Sequence, residues 1–316
     1  MPYVIGVDGG GTKTTVMIAP LDHDDHMIQQ TYRQSSNPLI SGENEIAYML
    51  LAKIKMILNH ETIHPTEIKS ICLGLAGVQS TSIRKNLHEI MFCLLLQNGF
   101  LENVKINLVT DLEIALKGSL GSRHKEGIMV ISGTGSNAIG IDHNKNIYRC
   151  GGWGEYLGDE GSGYFISRQA LMSVMRAHDG RGHSTVLKDR ILGKLNLQQV
   201  DDLILLIQRQ RNKKKFLASL SPLVFDAAEE GDVIANQILS EAALELTNHV
   251  KAIHSQSPSF SKQTPIFTAG SIFNKREKVL NEFNHLLSMN ELGVYEPSEG
   301  EPVHGAIQWA KEMISL

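Results

Sequence analysis

The sequence predicts an α/β protein built from two related lobes, and three observations lead to this fold class. The chain has 316 residues, a length that suggests two domains or one large domain, at about 150 residues per domain. Short β-branched runs alternate with longer stretches of helical periodicity, which is typical of α/β folds. A unit of strand, glycine-rich turn and strand occurs at the N-terminus and again about 125 residues later. This duplication suggests two related lobes that face each other.

The N-terminal part of the chain is predicted to alternate between strands and helices. Continuous apolar runs predict buried strands, and apolar residues at helical spacing predict helices. Around residues 118–126 the composition shifts to Gly, Ser, Arg, His and Lys, which places a domain boundary between a lobe over 1–120 and a lobe over 121–301. The predicted strands are 3–7, 14–18, 68–75 and 104–109, and the predicted helices are 43–58, 82–96 and 112–117.

The C-terminal part repeats the strand–turn–strand pattern and is then mostly helical from about 184 to 255. Lys213, Lys214 and Lys215 predict a solvated helix start. The last helix has two small residues, Gly305 and Ala306, on its first turn, where another helix could approach closely. The predicted strands are 127–131, 138–141 and 264–268, and the clearest predicted helices are 160–175, 216–230, 233–253 and 302–314.

The composition argues against several classes of partner. Thirty Lys and Arg against 34 Asp and Glu give a net charge of −4, so no global electrostatic attraction to nucleic acid or to an anionic membrane is expected. No apolar run is long enough to span a bilayer, and the first residues lack the basic segment of a signal peptide. Cys72, Cys93 and Cys150 are widely spaced, which predicts neither a disulfide framework nor a metal cluster and suits a reducing cytoplasm.

The first glycine cluster has the sequence DGGGTKT and begins at Asp8. Three glycines allow positive φ angles and leave their N–H groups unshielded, and such groups with a Thr hydroxyl can surround phosphate oxygens. Asp8 ends the preceding strand, where a carboxylate could hold Mg²⁺ through water. The pattern differs from a Walker A loop because its glycines are contiguous and a strand follows. The alternative is an ordinary hairpin turn.

The second glycine cluster, SGTGSNA, begins at Ser132. It fits the loose form of a dinucleotide-binding fingerprint, but that fingerprint requires a helix next. Here a strand and a polar turn are predicted to follow. We therefore favour a second phosphate-binding hairpin.

The third cluster, GGWGEYLGDEGSGY, begins at Gly151 and precedes a predicted helix. A long loop with this many glycines is typically functional. Its acids and aromatic rings suit a polyhydroxylated ligand, since carboxylates accept hydroxyl protons and rings cover C–H faces. The alternative is a helix N-terminus capped by Asp159 or Ser162, with Trp153 in the core.

Asp111 directly follows a predicted strand and begins a short helical pattern. Aspartate is a favoured N-cap residue, so the sequence leaves two roles open. One is the cap of the helix, and the other is a catalytic carboxylate.

The three clusters, in this order, resemble the BadF/BadG/BcrA/BcrD ATPase family, and within it the N-acetylglucosamine kinases of the actin/Hsp70/sugar-kinase superfamily. The resemblance spans nearly the whole chain, and the third cluster is its most specific part. The other matching segments are SSNP at 35–38, GLAG at 74–77, TD at 110–111, DGRG at 179–182 and TAGSIF at 268–273.

The resemblance implies two ribonuclease-H-like lobes of the actin-like ATPase fold with a cleft between them. It also implies that a C-terminal helix over 302–316 completes the first lobe. Gly305 and Ala306 of this helix are then expected at an inter-lobe contact. It implies that Asp8 organises Mg²⁺ and that Asp111 accepts the proton of the sugar hydroxyl. The residues it places at ATP are Gly9, Gly10, Gly11, Thr12, Lys13, Thr14, Gly133, Thr134, Gly270 and Ser271. The residues it places at the sugar are Asn37, Thr134, Ser136, Asn137, Gly152, Trp153, Gly154 and Asp159.

The leading functional hypothesis is therefore an ATP-dependent kinase that phosphorylates N-acetylglucosamine at its 6-hydroxyl in amino-sugar salvage. Its expected location is the cytoplasm, and a homodimer is the candidate assembly. N-acetylmuramic acid and glucosamine stay open as acceptors. Two hypotheses come from other classes. One is an activator ATPase of 2-hydroxyacyl-CoA dehydratases, whose relatives carry paired cysteines for an iron–sulfur cluster. The other is a non-catalytic nucleotide switch.

Overall fold

The computed structural model describes residues 1–23, 26–274 and 277–315. The chain forms two compact units, one of residues 1–124 with 298–316 and one of residues 125–297. Each unit contains a five-stranded sheet of described residues. Within the described ranges, no helix is long and apolar enough to cross a membrane.

The strands of the first unit are arranged around the N-terminal strand, and those of the second follow the same plan. The first unit contains β1 (Tyr3–Gly9), β2 (Thr14–Pro20), β3 (Ile28–Tyr32), β4 (Ile68–Leu75) and β5 (Lys105–Thr110). The second unit contains β6 (Gly127–Ser132), β7 (Ser136–Ile141), β8 (Ile147–Gly151), β9 (Pro265–Ala269) and β10 (Val294–Tyr295).

Helices cover the sheets and form most of the second unit. The helices before the second sheet are α1 (Pro38–Ser41), α2 (Glu43–His60), α3 (Thr81–Gln97) and α4 (Asp111–Leu120). Those that follow are α5 (Gly163–His178), α6 (Leu187–Leu195), α7 (Asp202–Gln208), α8 (Lys213–Ala218), α9 (Ser221–Glu229), α10 (Val233–His254), α11 (Ser271–Asn274), α12 (Glu277–Met289) and α13 (Pro302–Ser315).

The two sheets have the same topology. The strand orders are β3-β2-β1-β4-β5 and, in the reverse sense, β10-β9-β6-β7-β8. In each sheet the first three strands are antiparallel neighbours, and a later strand pairs in parallel with the first. The α/β class and the duplicated strand–turn–strand unit predicted from the sequence are thus confirmed.

The sheet of the first unit is buried on both faces, which explains the continuous apolar run of β1. Ile5 and Val7 on one face pack into a core with α2 and α3, and Val4 on the other face packs with α13. All three side chains are fully buried. A strand covered on both faces is expected to be apolar throughout instead of alternating.

The last helix, α13, packs within the first unit, against β1 and α4. Gly6 of β1 allows this approach, because a Cβ there would lie 2.8 Å from the backbone nitrogen of Ile307. At Gly305 a Cβ would overlap the carbonyl oxygen of Ile114 and lie 2.5 Å from the nitrogen of Gly118. The close approach predicted for the small residues is present, and the neighbours of Gly305 belong to the same unit. The predicted inter-lobe contact stays a prediction. Leu316 lies outside the described residues.

Three differences between the predicted and the observed elements have local causes. The predicted helix 216–230 is divided into α8 and α9, because Pro222 in the first turn of α9 lacks an N–H and obstructs the preceding turn. The predicted helix at 160 begins at Gly163, after the cap residue Ser162. The strand β3 escaped prediction because it is an edge strand of sequence IQQTY, without a buried apolar face.

We expect Gly305→Ala to destabilise the first unit by roughly 2–4 kcal/mol, because its Cβ meets backbone atoms that cannot move independently. Gly193→Ala in α6 is the matched control, since no described atom lies within 4 Å of its Cβ position. That variant should be neutral or stabilised by up to about 1 kcal/mol through helix propensity. Urea unfolding followed by circular dichroism measures both, and equal stability of the two variants would contradict the packing argument.

Candidate functional site

The first glycine-rich hairpin joins β1 to β2 and ends in an exposed loop. Gly9 pairs with Thr14, and the N–H of Gly10 donates to the carbonyl of Lys13 at 2.9 Å. Gly11, Thr12 and Lys13 are exposed. The loop therefore presents backbone groups to solvent, as a phosphate-binding hairpin requires.

The glycines of this hairpin are needed for space and not for backbone conformation. The expected positive φ angles are wrong, because none of the glycines at 9, 10 and 11 lies in the left-handed region. A Cβ on Gly9 would overlap the side chain of Leu75, whereas at Gly11 no described atom lies within 4 Å. Gly9 thus permits close packing on β4, and the lack of a side chain at Gly11 allows a ligand to approach the backbone.

Hydrogen bonds from two other segments support the hairpin. The N–H of Ser36 donates to the carbonyl of Gly10 at 3.1 Å, and the N–H of Ala76 donates to that of Gly9 at 2.8 Å. Thr14 is fully buried, and its hydroxyl donates to the carbonyl of Gln34 at 2.7 Å and contacts the hydroxyl of Ser36. The side chain of Thr14 is therefore not available for the predicted contact with ATP. It stabilises the hairpin through its hydrogen bonds.

Asp8 lies at the carboxyl end of β1 in an environment that disfavours its charge. Burial raises the pKa of Asp8 to about 6, with Lys13 lowering it and Asp111 and Glu301 raising it further. The described residues contain no group of three or more His, Cys, Asp or Glu side chains that could ligate a metal together. A carboxylate near further acids nevertheless fits a hydrated Mg²⁺, which keeps several of its waters and takes one or two carboxylates.

Asp111 is the first residue of α4, and the structure excludes one of its two candidate roles. Thr110 is the N-cap, since its hydroxyl accepts from the N–H of Glu113 at 3.3 Å, and the Glu113 carboxylate accepts from the N–H of Thr110 at 2.5 Å. The capping role predicted for Asp111 is therefore wrong. One Asp111 oxygen accepts from the N–H of Leu112 at 3.0 Å, which orients the carboxylate at the start of the helix.

A glycine in β4 brings α4 close to Asp8. Gly74 pairs with Asp8 in the sheet, and a Cβ on Gly74 would overlap the side chain of Ile114. The missing side chain lets α4 pack onto the strand, so that Asp111 acts electrostatically on Asp8.

Asn37 is positioned by the second glycine of the GLAG segment. Its side-chain oxygen accepts from the N–H of Leu39 at 2.9 Å and caps the short helix α1. Gly77 has a φ of +83°, and a Cβ there would overlap this oxygen. The predicted sugar-contacting residue is thus held on top of a glycine turn.

The second glycine-rich hairpin joins β6 to β7, as predicted, and a strand and not a helix follows it. Its N–H at Gly133 donates to the carbonyl of Gly135 at 2.9 Å, and the carbonyl of Gly133 accepts from the N–H of Gly163 at 2.8 Å. Gly270 packs against the base of the hairpin with a φ of +100°, where a Cβ would overlap the carbonyl oxygen of Ser132. The predicted adenosine-side loop therefore contacts the hairpin directly.

Asp159 forms a buried ion pair that the sequence did not indicate. One carboxylate oxygen accepts from the N–H of Ser136 at 3.1 Å, and the other lies 2.5 Å from the ammonium nitrogen of Lys214. The side chain of Asp159 is 4% exposed and that of Lys214 is 27% exposed. The predicted helix start at 213–215 is present, and Lys213 and Lys215 are exposed. Lys214 differs from the prediction, because its side chain is partly buried and turned toward the hairpin.

The third glycine cluster forms a loop whose aromatic residues face solvent. Trp153 is 74% exposed, so its predicted alternative place in the core is wrong. Ser162 caps α5 by accepting from the N–H of Phe165 at 3.1 Å, which decides between the two predicted caps. Gly152 has a φ of +76° and lies against Asn137, whose buried side-chain oxygen has no hydrogen-bond partner among the described residues. An unsatisfied buried acceptor of this kind is a site for a ligand donor.

A cavity of about 440 Å³ opens beside the second hairpin, within the second unit. It combines residues that sequence reasoning selected with residues of α8 and α9 that it missed. The sequence signal in this segment was Pro222, at which the predicted helix divides. The lining consists of Gly133, Thr134, Lys215, Ala218, Ser219, Ser221, Pro222, Phe225, Ser271 and Ile272.

The three cysteines, which all lie in the described ranges, are free thiols. Cys72 is buried, which raises its pKa, and Cys93 is exposed. Cys150 is partly buried, and burial raises its pKa also. Their separation on three different elements matches the prediction of neither a disulfide nor a cysteine cluster.

Comparison with known proteins agrees with the motifs. The model of the BadF/BadG/BcrA/BcrD ATPase family matches residues 5–310. The N-acetylmuramic acid/N-acetylglucosamine kinase of Clostridium acetobutylicum is 37% identical over 92% of each chain. The N-acetyl-D-glucosamine kinase of Dictyostelium discoideum is 32% identical over 93% of this chain and 92% of its own. A provisionally assigned N-acetylglucosamine kinase from Chromobacterium violaceum has the same fold, with a TM-score of 0.70, 23% identity and coverage of 98% of each chain.

Asp8→Asn should alter the pH dependence of stability in a defined direction. The folded-state pKa of Asp8, about 6, exceeds its ordinary value of 3.8, so the folded state binds the proton more tightly and loses stability as pH rises between these values. The amide carries no charge to desolvate. We therefore expect the variant to be more stable than the wild type by about 1–2 kcal/mol at pH 7.5 and to lose this advantage near pH 4. Urea unfolding at both pH values measures the difference, and an advantage independent of pH would contradict the assignment.

Proposed function

Because this chain belongs to the BadF/BadG/BcrA/BcrD ATPase family, we propose that it is an ATP-dependent kinase that phosphorylates N-acetylglucosamine, at the 6-hydroxyl. The observation that carries the proposal is the position of Asp111, at the start of α4 and near Asp8, with its capping role taken by Thr110. The relatives support an amino sugar as the acceptor, and N-acetylmuramic acid and glucosamine are the alternative acceptors.

The two glycine-rich hairpins are proposed to bind the phosphates of ATP. Exposed N–H groups of the first hairpin, together with the Thr12 hydroxyl, are suited to phosphate oxygens. In the second unit, Gly133 and Thr134 line the same cavity as Ser271. A cavity of about 440 Å³ with an aromatic side chain and several hydroxyls suits a nucleoside. Thr14 then stabilises the first hairpin, and Gly270 packs against the second.

Asp8 is proposed to hold Mg²⁺ through water. The cation would neutralise charge on the phosphates and would offset the desolvation of the Asp8 carboxylate. Lys13 lies near Asp8 and adds a positive charge at the mouth of the first hairpin. The first unit therefore supplies both a charge for the cation and N–H donors for the nucleotide.

Asp111 is proposed to accept the proton of the acceptor hydroxyl. Phosphoryl transfer passes through a loose transition state, so a positioned base and charge neutralisation account for most of the catalysis. Asn37, Asn137, Trp153 and Asp159 are proposed to hold the sugar. The unsatisfied oxygen of Asn137 supports this role, since a sugar hydroxyl can donate to it. Ser136 is mainly a support, because its N–H binds Asp159 and its hydroxyl donates to the carbonyl of Glu160.

We further propose a cytoplasmic location, a homodimer, and a phosphate-binding hairpin in each unit. The activator ATPase needs paired cysteines, whereas Cys72, Cys93 and Cys150 lie on separate elements. The nucleotide switch and the activator are therefore kept as outcomes of the following experiment.

The test of the proposal is ADP release from MgATP by the purified protein. The acceptors are N-acetylglucosamine, N-acetylmuramic acid, glucosamine, glucose and none. We expect release that depends on an amino sugar and stops when EDTA removes the divalent cation. Release that is equal with and without every sugar would overturn the kinase assignment and favour the ATPase or switch.

Asp111→Asn should lower kcat by a factor of about 100 or more, because general-base catalysis of this kind contributes roughly 10²–10⁴-fold. Binding of MgATP should be unchanged, since the amide has nearly the same shape. Asp202→Asn is a matched control, because Asp202 is also the first residue of a helix, α7, and is exposed. Steady-state kinetics and calorimetric titration of nucleotide measure the two effects. Wild-type turnover in Asp111→Asn would refute the role of the base.

A further inference from the structure

The ion pair between Asp159 and Lys214 carries no net charge. One carboxylate oxygen accepts from the N–H of Ser136, and the other forms an ion pair with the ammonium of Lys214. Gly135 creates the space for the pair, because a Cβ there would overlap a carboxylate oxygen and lie 3.0 Å from the ammonium nitrogen. The geometry is therefore built into the tip of the second hairpin, and it is not a chance contact of two flexible surface side chains.

The protein itself supplies the cation that this carboxylate needs. A carboxylate that is 4% exposed is costly to bury unless it is paired. In a site that takes a cationic sugar, the ammonium of the ligand can provide the pairing charge. Here Lys214 already occupies that place, so a ligand ammonium would be a second cation beside one carboxylate. A neutral or an anionic ligand meets no such excess of positive charge.

We propose that Lys214 sets the charge preference of the acceptor site, so that acetylated amino sugars are favoured over glucosamine. This inference rests on the proposed function, in which Asp159 contacts the sugar. Lys214 is a specificity-determining and positioning residue that acts through Asp159. N-acetylglucosamine is uncharged, N-acetylmuramic acid carries a carboxylate, and glucosamine carries an ammonium, so the three acceptors form a charge series on one type of ring.

Other charged and titratable groups lie near the pair. Glu160, the next residue, is 42% exposed and lies 3.9 Å from the imidazole of His249. Tyr164 on α5 is close enough for the charge of Asp159 to contribute to its raised pKa, which burial chiefly causes. These groups stay the same in all the variants below, so their contribution is common to every comparison.

The experiment uses Lys214→Met, Asp159→Asn and the double variant, with kcat/KM measured for the three acceptors at pH 6.5. Each variant is compared with the wild type acceptor by acceptor, which removes differences of acceptor size. Lys214→Met leaves a carboxylate without its cation, and glucosamine should gain about tenfold relative to N-acetylglucosamine. Asp159→Asn leaves a cation without its carboxylate, so glucosamine should lose and N-acetylmuramic acid should gain, each by about tenfold relative to N-acetylglucosamine. The double variant should return to the wild-type order.

Three controls separate this role from a structural one. Lys213→Met removes an exposed lysine from the preceding position of α8 and should change nothing. Lys214→Arg keeps the charge and should keep the wild-type order of acceptors. Thermal melting establishes that each variant is folded, and the Asp159→Asn arm tests the charge effect even when Lys214→Met does not fold.

The outcomes distinguish the inference from the proposed function. An equal loss of kcat/KM for all three acceptors in both single variants would overturn the inference and leave the kinase intact. A wild-type protein that phosphorylates none of the three would overturn the proposed function, and the inference with it. Opposite shifts of the glucosamine preference in the two single variants would support both.

Discussion

Close packing of neighbouring elements onto glycine residues is the constraint on which both hairpins and the first unit depend. Gly6 and Gly305 let α13 lie against β1 and α4, and Gly74 lets α4 lie against β4. Each added Cβ would meet neighbouring atoms that packing holds in place. The same principle operates at Gly270, which allows the loop before α11 to contact the second hairpin. These glycines thus permit close packing because they lack a side chain, and only some of them are also needed for a positive φ.

Two buried or partly buried carboxylates differ in whether a neighbouring cation neutralises their charge. Asp8 is desolvated and acted on by Asp111 and Glu301, and its pKa rises to about 6. Asp159 is more deeply enclosed, and it is paired with Lys214. The first arrangement stores unfavourable energy that a bound cation can relieve, which suits a site for Mg²⁺. The second is already neutralised, which suits a surface for an uncharged or anionic sugar.

Much of the fold was predictable from the sequence because its signals are local. The periodicity of the apolar residues placed β4 and α2 to within two residues, and the repeated glycine turns identified the two hairpins. Local signals failed where two readings were equally compatible with the residues. The sequence left Asp111 as either a helix cap or a catalytic carboxylate, and only the structure shows that Thr110 and Glu113 form the capping box. The edge strand β3 was not predicted for another reason, because a polar edge strand lacks a hydrophobic pattern.

The sequence by itself determined the α/β class, the duplicated hairpins and, through its motifs, the family and most of the candidate residues. Only the tertiary structure decided which of these residues act on each other. The electrostatic group of Asp8, Asp111 and Glu301 comes from three distant segments, and the pair of Asp159 with Lys214 joins a loop to a helix that looked solvated. The reason is that periodicity reports which face of an element is buried, whereas a contact between side chains depends on the angle and distance at which two elements pack. A lysine in a basic run has the same local pattern whether it faces water or a buried carboxylate.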